Sequence, residues 1–485
     1  MPQESKESDL SRREFLKTGV TTGAAGIAAL SGITWITKPE RVFGANDRVR
    51  VAICGVRGRG FDHIRAYSHL PNASIAALCD VDENVLDKRL ANVVSMGAPK
   101  PARYVDCRKL MDDKSIDAVS IATPDHWHSL IGIYACQAGK DVYVEKPCSH
   151  TWWDGYQLVR AADKYNRIVQ MGAQSRSNSA IQEAVNHMRD GLIGEVYLSR
   201  GLCYKWRPTI GHTPVSPVPH GVHYDLWLGP APKHDFTRNR FHYNWHWFWD
   251  YGSGDLGNQG IHEVDICRWG LGVDYPSKIT AIGGHFMFKD DQQTPNILTC
   301  AYEFELPDGG RRMMEFEVRG WSTNHEAGIG TGAFRSGGVP AAGLAQHHPH
   351  HPHHPRPQTA RLGPVSGPST IGNIFYGSKG YLAIEGYDSY MSWLGEDQQP
   401  GPRANGKGNH FANFIDAVIS RKKQDLTAPI EEGHKSTLLV NLANVSYRLG
   451  RTINFEGKNE RIVGDDEASR MLHGTYRAPF EVPKV

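Results

Sequence analysis

Short apolar runs alternate with amphipathic stretches over the first third of the chain. Residues 118–122 are apolar on both faces, as buried parallel strands are. The stretches between the runs carry apolar residues at helical spacing. Strand, helix and strand in this order predict an α/β domain at residues 46–171, built on a doubly wound parallel sheet. The predicted strands are residues 49–54, 74–79, 116–122, 141–145 and 168–171.

The pattern changes after residue 171 to longer, more aromatic runs. Residues 299–304 and 311–318 flank a Pro-Asp-Gly-Gly turn, which indicates an antiparallel hairpin. Helical spacing returns towards the carboxyl terminus. These features predict a second, α+β domain at residues 172–485 with a large, mainly antiparallel open sheet.

Composition narrows the range of partners. The 485 residues carry a formal net charge of +2, with acidic and basic residues mixed along the chain. No basic patch favours nucleic acid, so we expect a small, neutral or weakly charged ligand. The eight cysteines are scattered without a C-x-x-C pair, which predicts core residues rather than disulfides or metal ligands. Residues 330–370 are rich in Gly, Pro and His and predict a disordered insertion; a metal-binding role for its histidines stays open.

Residues 1–45 form a separate segment. Arg12 and Arg13 precede an uncharged stretch rich in Gly, Ala and Thr at residues 18–37. This arrangement resembles a twin-arginine export signal. It implies passage through the twin-arginine machinery in the folded state, with the cofactor already bound, to the periplasm or another extracytoplasmic location. No clear cleavage site of small residues follows, so retention of the signal as a membrane tether stays open.

A glycine-rich loop follows the first predicted strand and contains Gly55, Arg57, Gly58, Arg59 and Gly60. Such a loop before a helical segment lets backbone amides face a pyrophosphate. Asp80 ends the next strand, where a carboxylate accepts hydrogen bonds from the ribose hydroxyls of an adenosine. Acids but no cation follow Asp80, which favours NAD over NADP. Arg57 occupies the position of the usual second glycine, where it either contacts phosphate or stays solvated.

The motifs along the chain form an ordered set. The set comprises the glycine loop, Asp80, residues 121–128, the triplet Glu145-Lys146-Pro147 and residues 254–262. In this order the motifs resemble the Gfo/Idh/MocA family, the relatives of glucose-fructose oxidoreductase and inositol dehydrogenase, over residues 48–483. The resemblance implies a Rossmann nucleotide-binding domain, an oxidoreductase acting on CH–OH groups of sugars or polyols, and a homo-oligomer.

Oxidation of an alcohol needs a group that removes the hydroxyl proton beside the cofactor. Lys146 follows a predicted strand at its carboxyl end, where ligands bind in open α/β sheets, and desolvation there would lower its pKa. The resemblance assigns a second proton-transfer position to His262. The family's aspartate position is occupied by Asn258, which orients a hydroxyl but takes no proton, so proton transfer falls to Lys146 or His262. Nearby acids that can compensate are Asp255, Glu263 and Asp265.

The remaining predicted contacts divide between cofactor and substrate. The resemblance places the loop after residue 122 at the nicotinamide ribose, and Gln174 and Arg176 at the boundary between cofactor and substrate, although a plain polar turn fits those two equally well. The aromatic segment at residues 204–251 suits sugar rings, whose C–H faces stack on aromatic rings; core packing is the alternative. The predicted cofactor contacts are Thr123, Pro124, His126, His128, Glu145, Lys146 and Gln174, and the predicted substrate contacts are Arg176, Trp206, Trp247 and His262.

Three classes of function fit these residues. The leading hypothesis is an exported NAD-dependent dehydrogenase acting on a sugar, a polyol or a derivative. The second is a redox-assisted glycosidase or isomerase with tightly bound NAD that is recycled within one turnover. The third, a non-catalytic nucleotide-binding protein, gains support from Asn258, whereas Lys146 and His262 argue against it.

Overall fold

The computed structural model describes residues 48–331, 334 and 369–485. The predicted export signal lies outside these residues, as does most of the predicted His- and Pro-rich insertion. Among the described residues, no helix has both the length and the apolar character needed to cross a bilayer. All eight cysteines are buried as free thiols, as the sequence predicts.

The first layer is a six-stranded parallel sheet with the order β3-β2-β1-β4-β5-β6. The sequence pattern predicts five of these strands and misses β3, because three largely exposed residues at a sheet edge carry no apolar pattern. The strands are β1 (Val49–Cys54), β2 (Ala73–Cys79), β3 (Ala102–Tyr104), β4 (Ala118–Ile121), β5 (Asp141–Val144) and β6 (Val169–Met171).

Helices connect these strands and cover the sheet. Polar side chains set several of their starts: Asp82 caps α2, and Thr151 with Asp154 forms a capping box at α5. The strand order reverses between β1 and β4, which is where open α/β sheets bind ligands. The helices are α1 (Arg59–Ser68), α2 (Glu83–Ser95), α3 (Cys107–Met111), α4 (Asp125–Gln137) and α5 (Trp152–Lys164).

The second layer is a ten-stranded sheet with the order β14-β13-β12-β11-β7-β10-β9-β8-β15-β16. Its strands pair antiparallel except β7 with β10. Together with the parallel sheet, this confirms the predicted fold class. The strands are β7 (Val196–Tyr204), β8 (Lys278–Gly284), β9 (Ile297–Glu305), β10 (Arg311–Arg319), β11 (Thr370–Gly377), β12 (Gly380–Glu385), β13 (Ser389–Leu394), β14 (Gln399–Asn405), β15 (Ile453–Glu456) and β16 (Arg461–Ile462).

Helices cover one face of the large sheet and return the chain to the small one. Burial alternates along β9 and β10 because only one face packs against these helices. Helix α10 packs Phe411 against Tyr143 of β5, so the carboxyl-terminal part of the chain also builds the core of the first layer. The helices are α6 (Ser179–Arg189), α7 (Tyr224–Leu228), α8 (Gly254–Asn258), α9 (Gly260–Leu271), α10 (His410–Ser420), α11 (Ile430–Leu449) and α12 (Asp466–His473).

Residues 205–250 form a long connection between β7 and α8, which we call the covering segment. It holds an aromatic cluster of its own that includes Trp227, Phe241 and Trp247. Burial of several large rings gives this connection a small core, so that it keeps a defined shape although it contains only α7 and a 3-10 turn at Asn244–Trp247.

Candidate active site

A cavity of about 390 Å³ lies at the carboxyl ends of β1, β2, β4 and β5, with the covering segment as its opposite wall. It unites predicted site residues that are up to 203 positions apart in sequence, from Gly55 to Asn258. Those lining it are Gly55, Arg57, Gly58, Arg59, Asp80, Thr123, Pro124, His128, Glu145, Lys146 and Asn258. The predicted residues that do not line it are Gly60, His126, Gln174, Arg176, Trp206, Trp247 and His262.

The glycine loop has the shape of a phosphate cradle. Gly55 has φ +77°, and a Cβ there would lie 2.6 Å from the carbonyl oxygen of Ala122. A Cβ on Gly60 would lie 1.8 Å from the Gly55 carbonyl oxygen, so both positions require glycine. Gly58 faces open space and caps α1 without a side chain. The first amides of α1 therefore stay available to an anion, and the loop fits a pyrophosphate.

Asp80 supports this loop as well as facing the cavity. Its carboxylate accepts hydrogen bonds from the backbone amides of Val56 (2.8 Å) and Asp82 (3.0 Å). Burial raises the pKa of Asp80 to about 6. A carboxylate oxygen accepts more than one hydrogen bond, so Asp80 can hold the loop and still receive ribose hydroxyls.

Arg89 of α2 is a loop-holding residue that the sequence does not reveal. Its guanidinium donates to the carbonyl oxygens of Val56 (3.0 Å) and Arg57 (2.8 Å) and lies 4.0 Å above the ring of Phe61. No motif marks this arginine, because it stands 32 residues from the loop that it fixes.

Lys146 directs its amine into the cavity, where Nζ donates to the backbone oxygen of Asn258 at 2.5 Å. The Lys146–Pro147 peptide bond is cis. Burial lowers the pKa of Lys146, and the nearby carboxylates of Glu145 and Asp125 partly oppose this shift. An amine with a lowered pKa is available as a proton acceptor closer to neutral pH.

Glu145 is a buried carboxylate held ionised by its neighbours. It accepts hydrogen bonds from Arg59 (2.8 Å), His63 (3.1 Å) and Gln174 (3.3 Å). Burial acts to raise its pKa, but Arg59 and His63 hold the pKa well below the ordinary value. Gln174 therefore contacts Glu145 instead of lining the cavity. His63 was missed by sequence reasoning, although its position four residues after Arg59 places both on one face of α1.

None of the three acids proposed to compensate for Asn258 lines the cavity. Asp255 forms a two-pronged ion pair with Arg207 (2.6 and 2.8 Å), and Asp265 forms one with Arg176 (2.7 and 2.8 Å). Glu263 lines no described cavity, and burial raises its pKa to about 8. The structure thus places Arg176 in a buried ion pair outside the cavity lining.

Two histidines lie close to the amine of Lys146. Burial lowers the pKa of His262 to about 3, with Lys146 adding to the shift, and its ring packs edge-on against Tyr387 at 5.1 Å. His246 lines the cavity, stacks on Trp245 at 3.6 Å and hydrogen-bonds through Nδ1 to the carbonyl oxygen of Tyr243. That bond fixes the proton on Nδ1 and leaves Nε2 as an acceptor. His246 belongs to the aromatic segment at residues 204–251, where no sequence motif marks it for this role.

Of the other predicted histidine and tryptophan contacts, only His128 lines the cavity. His126 turns away from the cavity, because its Nε2 faces the carbonyl oxygen of Trp227 at 2.9 Å. His128 lines the cavity, but its Nδ1 lies 2.6 Å from the carbonyl oxygen of Pro147 and its Nε2 lies 2.8 Å from that of Thr123. Trp247 is buried beneath Arg207 (5.2 Å) and Trp206 packs near Trp321. The Phe, Tyr and Trp rings that do line the cavity are Trp127, Trp227, Phe241, Tyr243 and Trp245.

Side-chain contacts attach the covering segment to Asp82 and to the start of α2. His223 pairs with Glu83 at 2.7 Å, His242 lies 3.3 Å from Asp82, and Asn84 donates to the carbonyl oxygen of His220 at 3.0 Å. The cavity consequently lies between the parallel sheet and a segment that is attached to the residues following β2.

Two models of one protein family match the chain. A family model described as "Oxidoreductase family, NAD-binding Rossmann fold" matches residues 49–173. A second model of the same family, described as "Oxidoreductase family, C-terminal alpha/beta domain", matches residues 178–303 and 385–482. The two Gfo/Idh/MocA models together cover most of the chain.

Curated relatives match over a shorter stretch. Glycosyl hydrolase family 109 proteins of Shewanella pealeana and Saccharopolyspora erythraea are each 31% identical to the chain, over 204 and 214 residues. These stretches are 39% and 41% of this chain and 44% and 46% of the relatives. The chain thus matches less than half the length of each relative.

Solved structures share the fold. The WlbA dehydrogenase of Bordetella pertussis, in complex with NADH and UDP-GlcNAcA, has a TM-score of 0.57 at 18% identity. A levoglucosan dehydrogenase, in complex with NADH and levoglucosan, has a TM-score of 0.58 at 16% identity. Each comparison covers 84% of this chain and 99% of the other.

Proposed function

The chain belongs to the Gfo/Idh/MocA oxidoreductase family, and on that premise we propose that it transfers a hydride between a hydroxyl of a sugar or polyol and NAD. One observation carries this proposal: the amine of Lys146 lies in the same cavity as the glycine loop, with a lowered pKa and a fixed hydrogen bond to Asn258. A binding protein without chemistry has no need of a buried amine positioned in this way.

NAD supplies the hydride acceptor when bound. Gly55, Gly58 and the start of α1 would hold its pyrophosphate, and Asp80 its adenosine ribose. Asp82 adds a second carboxylate at that end of the cavity, which disfavours the additional phosphate of NADP. Both the cavity lining and the NADH in the related structures support NAD.

Three side chains divide the proton chemistry. Lys146 takes the hydroxyl proton during oxidation and returns it during reduction, because its neutral form is accessible. His246 accepts a hydrogen bond from a substrate hydroxyl through Nε2, and His262 borders the amine from the side of α9. Asn258 holds the amine through its backbone oxygen, which explains why an amide is tolerated where the family has an acid.

A carbohydrate substrate is supported by the cavity wall and by the relatives. Aromatic rings at one side suit the C–H face of a sugar, while His246 and Lys146 offer polar partners to its hydroxyls. The related structures hold UDP-GlcNAcA and levoglucosan, both of them carbohydrates. These features favour a sugar or sugar derivative over a small aliphatic alcohol.

A second candidate is a redox-assisted glycosidase in which NAD is reduced and reoxidised within one turnover. The attached covering segment favours it, since enclosure slows cofactor release, and the relatives named glycosyl hydrolase family 109 proteins are compatible with it. Both reactions begin with the same hydride transfer, in which Lys146 takes the hydroxyl proton. They differ in whether the hydride leaves with the cofactor or returns to the sugar.

Incubation of the NAD-loaded protein with a panel of sugars and aryl glycosides tests the proposal. Net reduced nicotinamide in proportion to oxidised sugar supports the dehydrogenase. Free aglycone without net reduction of nicotinamide supports the glycosidase, as does incorporation of solvent deuterium at the carbon next to the one that is oxidised. Tight NAD binding with neither product would exclude both.

We propose further that the protein acts outside the cytoplasm, in keeping with the paired arginines near its amino terminus. A reporter that is active only after export, fused behind residues 1–45, tests this. Arg12→Lys together with Arg13→Lys should abolish export, whereas unchanged export would contradict the proposal. Homo-oligomer formation is a prediction that light scattering can check.

A further inference from the structure

Lys146 needs a route by which its acquired proton leaves. After oxidation of a hydroxyl the amine is an ammonium ion inside a cavity, and its hydrogen-bond partner is a backbone carbonyl oxygen, which takes no proton. Without a neighbouring acid, each turnover would wait for that proton to escape through the bound substrate. A carboxylate in the same cavity as Lys146, with a hydrogen-bonded path to solvent, would remove this delay.

Five acids line the cavity, and most are committed. Glu145 is paired with Arg59, Asp106 with Arg108, and Asp82 caps α2. Asp80 holds backbone amides at the adenosine end. Among the described acids of the cavity, Asp125 alone is near enough to influence the charge of Lys146 and has no ion pair with an arginine or histidine. The two side chains line the same cavity without a direct hydrogen bond between them.

Asp125 also connects the first cavity to a second one through a hydrogen bond. Its Oδ2 accepts a hydrogen bond from Oγ of Ser253 at 2.7 Å, and both residues are buried. Ser253 lines a second cavity, of about 510 Å³, bounded by α11, α12 and the start of α5. Asn444 fixes Ser253 by donating to its carbonyl oxygen at 3.1 Å. Polar side chains such as Asn441 and Arg448 also line this cavity, and a cavity of this size with polar partners has room for water.

We propose that Asp125 and Ser253 form a proton relay from Lys146 to the second cavity; the relay rests on the proposed function. The hydroxyl O–H bond of the substrate breaks and its proton joins the Lys146 amine, while the hydride leaves the carbon for NAD. The ammonium then gives a proton to a water in the cavity that both side chains line, and that water gives one of its own protons to Asp125. Asp125 passes a proton to Oγ of Ser253 as the Ser253 hydroxyl proton moves to water. Lys146, Asp125 and Ser253 all return to their starting protonation.

The protonation behaviour of Asp125 suits an intermediate carrier. Burial raises its pKa to about 7, and Lys146 and Ser253 moderate the shift. Glu145, by contrast, is held ionised by Arg59 and His63 and is a poor acceptor. Asp125 is therefore a positioning and relay residue that acts through Lys146.

Proton release measured beside hydride transfer tests the relay. The NAD-loaded protein is mixed with substrate in weakly buffered solution, and a pH indicator is followed together with the absorbance of reduced nicotinamide. In the wild type both signals should rise together. In Ser253→Ala, proton release should lag behind hydride transfer by about tenfold or more. Ser149→Ala, a buried serine whose Oγ has no partner among the described residues, is the matched control and should behave as wild type.

A second measurement needs no turnover and separates this proposal from the proposed function. The pKa of Lys146 is followed by NMR of the isotopically labelled amine in the NAD-bound protein. Asp125→Asn should lower it by about one unit, a tenfold loss of proton affinity, because a facing carboxylate is removed. Proton release that stays in step in Ser253→Ala, or a Lys146 pKa that is unchanged in Asp125→Asn, would overturn the relay even if hydride transfer is found. An absence of hydride transfer with a shifted pKa would overturn the proposed function alone.

Discussion

Replacement of Arg176 by Met separates a structural role from a substrate contact. Arg176 is 4% exposed and donates two hydrogen bonds, of 2.7 and 2.8 Å, to Asp265, which is 1% exposed. Its guanidinium also lies 4.9 Å over the ring of Trp269. Met fills much of the space but leaves the buried carboxylate without its cation. Loss of one partner from such a pair costs about 3–5 kcal/mol of unfolding free energy.

Urea unfolding measures this loss against Arg103→Met. Arg103 also bridges two carboxylates, Glu83 and Asp87, but it is exposed, so its replacement should cost no more than about 1 kcal/mol. The KM for the sugar should stay within about twofold of wild type in Arg176→Met, because Arg176 does not line the cavity. A raised KM with unchanged stability would refute the structural assignment and restore the substrate contact that the family resemblance implies.

Three further changes test separate parts of the site. Glu263→Gln should flatten the pH dependence of stability. Because burial raises the pKa of the wild-type carboxyl to about 8, the wild-type protein loses unfolding free energy as pH rises from 4.5 towards 8. Urea unfolding at both pH values should show that the stability of the variant relative to wild type is greater at pH 8 than at pH 4.5. His246→Ala should lower kcat by about 10–100-fold with NAD affinity unchanged in calorimetry; an unchanged kcat would remove His246 from the chemistry. Asp80→Asn should weaken NAD binding by about tenfold and NADP binding by less; equal losses would count against its ribose role.

The parts of the site that sequence predicts are those fixed by short stretches of chain. The glycine loop and Lys146 each follow a buried strand directly, so the sheet alone brings them to one edge. The open face of Gly58 and the steric closeness at Gly55 and Gly60 are consequences of that same turn. Local pattern is sufficient wherever one strand and one turn determine the position.

The parts that sequence does not predict depend on distant segments. Arg176 resembles a boundary residue by its place in the chain, yet its environment is decided by Asp265, 89 residues later. His126 lies in the predicted nicotinamide loop but is drawn away by the carbonyl oxygen of Trp227. The sequence around Arg176 or His126 therefore contains nothing that predicts these partners. The covering segment is the common cause for His126 and His246, because its path over the sheet cannot be read from hydrophobic periodicity.

The proposed chemistry depends most directly on Lys146, and Lys146→Ala tests it in one measurement. NAD-loaded variant and wild type are mixed with a sugar that the wild type oxidises, and the first hydride transfer is timed in a single turnover, with NAD affinity measured in parallel. Lys164→Ala, which removes an exposed lysine of α5, serves as the control. We expect NAD affinity within about twofold of wild type and hydride transfer slower by about 10²–10⁴-fold. Hydride transfer at a near-normal rate in Lys146→Ala would contradict the central claim that this amine moves the substrate proton.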